Sequence, residues 1–106
     1  MAKTRGLGQQ LLDAMENVVE LMEATTDPDR LKELDAVRKR MSKEAGRLIE
    51  AQLDQSTAQY KAATAGLKQA SDAIRDAIRG LEAIKKAIEV AAEAMDLVAK
   101  VAAAGA

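Results

Sequence analysis

From Tyr60 to the C-terminus an apolar residue recurs at every seventh position: Tyr60, Leu67, Ile74, Leu81, Ile88, Met95 and Ala102. A second series sits three residues further on: Ala63, Ala70, Ala77, Ile84, Ala91 and Val98. Two apolar series at that offset form a heptad, the pattern of a helix that pairs along a narrow seam. One seam position is large and the other is mostly alanine, which lets a neighbouring backbone come close. The spacing predicts a helix over 57–103, which at 1.5 Å per residue is about 70 Å long.

Two shorter helices precede it. Leu11, Leu12, Met15, Val18, Val19 and Met22 fall at helical spacing and predict a first helix over 7–24. Asp13, Glu16, Glu20 and Glu23 form an acidic stripe of their own, so the helix is amphipathic. Thr25-Thr26-Asp27-Pro28 is the clearest break in the chain. Thr26 or Asp27 can cap the next helix with a side-chain oxygen, and Pro28 suits its first position. The break is tight, so the first two helices are expected to be antiparallel neighbours. The second helix is predicted over 28–53, with a stripe of Leu31, Leu34, Val37, Met41, Ala45, Leu48, Ile49 and Leu53.

The second and third helices are out of step. Leu34, Met41 and Leu48 step by seven towards Gln55, whereas the long series extrapolates back from Tyr60 to Leu53. A turn within 54–57, with Ser56 and Gln59 as a capping box, accounts for the slip. A helix running through with a local change of supercoil is the alternative. Rival turns at Ala65-Gly66 and at Gly80 are weakened because the heptad passes both without losing phase, and no Ser, Asp or Pro follows Gly80. In the last third the charges Glu82, Lys86, Glu89, Glu93, Asp96 and Lys100 keep to one narrow stripe. Val90, Leu97, Ala87, Ala94 and Val101 are apolar outside the seam, so this segment is expected to be wrapped on two sides. The first two helices, antiparallel to each other, cannot cover all of a 70 Å helix. The long helix should therefore overhang, which calls for self-association or a partner.

Composition narrows the chemistry. The 106 residues contain no Cys, His, Phe or Trp and one Tyr, so the core must come from Leu, Ile, Val, Met and Ala. Without Cys or His there is no thiolate, no disulfide and no common general base or metal ligand. A di-metal bundle would need His beside its carboxylates. Ser42, Ser56 and Ser71 have no base or elbow motif near them in sequence, and Gly6-Leu7-Gly8 is not a phosphate loop. The basic run Arg38, Lys39, Arg40, Lys43 and Arg47 has a bland explanation in the acidic stripe of the first helix across the hairpin. The net charge of −1 and the missing aromatics argue against nucleic acid. No signal peptide or spanning run is legible, so cytoplasm is the default location.

The sequence therefore reads as one all-α domain over 1–106. Its expected architecture is a short N-terminal helix and a long antiparallel helical hairpin, completed by self-association into an oligomer. The expected role is a non-enzymatic helical interaction protein (a small adaptor, chaperone or assembly component) acting by coiled-coil pairing with itself or another helical protein. No catalytic residue, metal or cofactor is expected. The candidate pairing interface is Tyr60, Leu67, Ile74, Ala77, Leu81, Ile84, Ile88, Met95 and Val98. The alternative is a membrane-active or secreted helical protein that uses its apolar C-terminal helix.

Overall fold

Five amides and hydroxyls decide where the first helices begin and end. The computed structural model describes residues 6–50 and 57–105, and among them it contains helix and no strand. Helix α1 spans Leu7–Ala24. Its first amide, Leu7 N–H, donates to the Tyr60 hydroxyl at 2.9 Å, so a distant side chain caps it. At the other end Thr25 is buried; its N–H donates to the Met22 carbonyl and its hydroxyl to the Leu21 carbonyl at 2.6 Å. Helix α2 spans Pro28–Glu50. Asp27 is its cap, accepting the Asp29 N–H at 2.9 Å, and Pro28 takes the first helical position as the sequence implies.

Helix α3 spans Ala58–Arg79. Its cap is Thr57, whose hydroxyl accepts the Tyr60 N–H at 3.1 Å, in place of the expected Ser56–Gln59 box. Ser56, Leu53 and most of the expected turn at 54–57 lie outside the described residues. The helix passes through Gly66 without a break, in line with the heptad.

The long third helix is the main correction. The chain leaves the helix at Gly80, whose backbone is extended at φ −147° and ψ 107°. One 3₁₀ turn, Leu81–Ala83, follows, and helix α4 runs over Ile84–Gly105. Gly80 is a weak helix former, and its carbonyl accepts the Ala83 N–H at 3.1 Å, which starts the new helix without a Ser or Asp. The heptad keeps its phase because Gly80 and the 3₁₀ turn together replace about one helical turn. Unbroken phase therefore cannot tell one long helix from two joined by a turn of that length.

Each helix touches two others: α1 lies beside α2 and α3, and α4 beside α2 and α3. The pairs α1–α4 and α2–α3 are diagonal across the bundle. Tyr60 at the start of α3 meets Leu7 at the start of α1, so these neighbours run the same way. The short turns at 25–27 and 80–83 reverse the chain after α1 and after α3, so α2 and α4 also run the same way, and Arg40 on α2 pairs with Asp96 on α4 at 2.7 Å. Two antiparallel hairpins, α1–α2 and α3–α4, are thus stacked into a four-helix bundle of 39 × 28 × 20 Å. The chain folds back at Gly80, and the overhang expected from a 70 Å helix does not arise.

The core follows the heptads. On α3 the buried residues are Tyr60, Ala63, Leu67, Ala70, Ile74 and Ala77, which are both seam series and nothing else. On α4 the seam residues Ile84, Ala91, Met95, Val98 and Ala102 are joined by Ala87, Ala94 and Val101. This wider stripe fits a helix pressed between α2 and α3. It accounts for the apolar breadth of the last third, although one of its two neighbours is α3 and not α1. Between α3 and α4 the approach is close: a Cβ on Gly66 would stand 2.9 Å from Leu97 Cδ1 and 3.7 Å from Ala94 Cα. From α1 and α2 come Leu11, Leu21, Leu34 and Met41, all essentially inaccessible.

Candidate interaction surface

The nine residues expected to pair with another helix are largely engaged within the chain. Tyr60, Leu67, Ile74 and Ala77 on α3, and Ile84, Met95 and Val98 on α4, are buried in the core. Ile88 is half-buried against it. Leu81 lies in the 3₁₀ turn, and its side chain is outside the described set. The buried members of this set pack the helices of the bundle against one another.

What reaches the surface is on α1, and the sequence pattern had hidden it. The apolar residues first read as one set divide into two stripes. Leu7, Leu11, Ala14, Val18 and Leu21, spaced four and three in turn, are buried. Leu12, Met15, Val19 and Met22, spaced three, four and three, form a second stripe rotated away from the core. Leu12 and Val19 are 43% and 40% exposed, and they are the only exposed large hydrophobics among the described residues. Met15 and Met22 are the half-buried members of the second stripe. Adjacent apolar pairs at 11–12 and 18–19 are the signal that could have revealed this, since both members cannot face one core.

The flank of α1 that carries the second stripe lies on the α2 side. Gln10 and Asn17 on the opposite flank line a groove against α3, which fixes the rotation. Leu31, half-buried on α2, extends the apolar strip across the hairpin. Glu16, Glu20 and Glu23 are exposed beside it on α1, with no ion-pair partner among the described residues.

The bases of α2 do not turn to α1 as expected. Arg38 and Lys39 both pair with Asp35 of their own helix, at 2.8 and 3.1 Å. Hydrogen bonds from Arg38, and then from Lys39, hold the Asp35 carboxyl below its ordinary value of 3.8. Arg40 reaches across to Asp96 on α4, and Arg47 pairs with the buried Glu44 at 3.0 Å. Lys32 and Lys43 are exposed without an ion-pair partner among the described residues. Among the described residues no ion pair joins Glu16, Glu20 or Glu23 of α1 to a base of α2. Antiparallel neighbours hold these side chains side by side, with both sets directed at solvent.

A groove between α1 and α3 has a volume of about 570 Å³. Short polar side chains, Thr64 and Ser71 on α3 opposite Asn17, leave it unfilled. Gln10 Oε1 is buried there without a hydrogen-bond partner. The Asp13 and Asp72 carboxylates and Lys61, Lys68 and Arg75 also line it. Among the described residues no group of His, Cys, Asp or Glu is placed to hold a metal ion. No described helix is long and apolar enough to cross a membrane. Comparison with known proteins adds no assignment: no protein-family model, curated protein or solved structure matches the chain.

Proposed function

We propose that this chain is a non-enzymatic helical interaction protein, an adaptor or assembly component, that docks through the outer face of its α1–α2 hairpin. The observation that carries this reading is the second heptad stripe of α1, with Leu12 and Val19 exposed seven residues apart. Isolated exposed apolar residues are ordinary on a protein surface; a periodic pair flanked by half-buried Met15 and Met22 is the pattern of a helix-pairing face. Met adapts to partner surfaces, which suits such a role. The reading keeps helix pairing as the mechanism and moves it from the Tyr60–Val98 seam to α1.

The test is site-specific photo-cross-linking in the cells that make the protein. A photoreactive residue at position 12 or 19 is expected to give discrete adducts, while the same residue at position 68 on α3 gives none. Equal labelling at all three positions, or none at any, rejects the reading. The membrane-active alternative has less support, because the apolar breadth of α4 is taken up by α2 and α3. Flotation with liposomes tests it directly.

A further inference from the structure

We infer that the partner of the α1–α2 face is a second copy of this chain, paired about a two-fold axis that runs along the hairpin. The inference rests on the docking reading above and supplies its occupant. An axis along the hairpin lays α1 of one copy over α2 of the other, and the reverse, in antiparallel contact.

The face is self-complementary under that operation. Its α1 half is acidic, with Glu16 and Glu23 seven residues apart. Its α2 half carries Lys32 and Lys39, also seven residues apart; Lys39 is bound to Asp35 of its own helix on one side and is otherwise open to solvent. Both pairs therefore repeat at about 10.5 Å along the helix. The rotation sets Glu23 near Lys32 of the partner subunit and Glu16 near Lys39 of the partner subunit. Between the two charged halves, Leu12, Val19 and Leu31 form an apolar strip that meets its own image. Rotation about the perpendicular in-plane axis would place acid on acid, so the charges choose one orientation.

Among the described residues of one copy these acids find no basic partner, although bases lie on the adjacent helix. A face bounded by the 39 Å and 20–28 Å dimensions of the bundle is comparable to the roughly 800 Å² per partner of a standard interface. The apolar strip is narrow, so the dimer should be reversible, with charge setting orientation more than strength.

A charge-swap experiment on the full chain tests this. Sedimentation equilibrium from about 1 μM to about 1 mM brackets a reversible dimer. The expected wild-type mass rises from 11.3 kDa towards twice that value. The double variants Glu16→Lys/Glu23→Lys and Lys32→Glu/Lys39→Glu should each dimerise at least tenfold more weakly. An equimolar mixture of the two should recover the dimer, because each basic half then meets an acidic one. Circular dichroism of each variant checks that the helices persist, and Leu12→Ser, which alters no charge, should weaken the dimer too.

A wild-type chain that stays monomeric overturns the inference, as does a dimer indifferent to all of these changes or a mixture that recovers nothing. If the wild type is monomeric while positions 12 and 19 cross-link to a different protein, the docking reading stands and the second copy falls. If cross-linking is also absent, both fall.

Discussion

Tyr60 shows what one side chain can contribute in a chain without Phe or Trp. Its ring lies in the core and its hydroxyl accepts the first amide of α1, joining the two hairpins at one end. Tyr60→Phe keeps the ring and strands that buried amide. The expected loss is about 1–3 kcal/mol, read as a lower thermal midpoint with unchanged helicity. Its place on the seam was legible in the sequence; its hydrogen-bond partner, 53 residues away, was not. Spacing reports which face a residue takes and says nothing of what lies opposite. Asp35 carries a smaller effect. Its carboxyl titrates below 3.8 because Arg38 and Lys39 stabilise the charged form, so its contribution is full above 3.8 and is lost as pH falls from there through the lowered folded value. Thermal midpoints of the wild type and Asp35→Asn should therefore differ slightly near neutrality and converge in acid.

At the scale of the helix, Gly66 and Gly80 have opposite roles. Gly66 lies within α3, where it admits Leu97 and Ala94 of the neighbouring helix. Gly66→Leu places a side chain in that contact and should destabilise the fold by about 1–3 kcal/mol, measured by urea unfolding. Gly80 ends a helix, and the nearest atoms a Cβ there would meet are those of the movable Glu82 carboxylate. The caps at the α1–α2 break were readable because Asp27 and Pro28 act locally. The Gly80 turn was not, since a turn about one helical repeat long keeps the heptad intact. The double stripe of α1 was equally hard to separate. Leu11 beside Leu12, and Val18 beside Val19, look like one broad apolar face until a core takes one of each pair.

At the scale of the whole molecule, the fold-back decides the shape. The radius of gyration is 13.6 Å, whereas a rod of about 70 Å would give about 20 Å. X-ray scattering at concentrations well below dimerisation should return a value near 13.6 Å. The sequence was enough for the class, the helical content and the buried seam, because each follows from period and propensity. It did not reveal that the seam closes within one chain, which depends on a single turn. The position of Tyr60 has an optical consequence as well. The chain has one aromatic chromophore, and it stands at the joint between the two hairpins. Its near-ultraviolet dichroism and emission report docking of one hairpin on the other, while far-ultraviolet dichroism reports helix. Assembly and helix formation can thus be timed separately in the unmodified protein, with no label added.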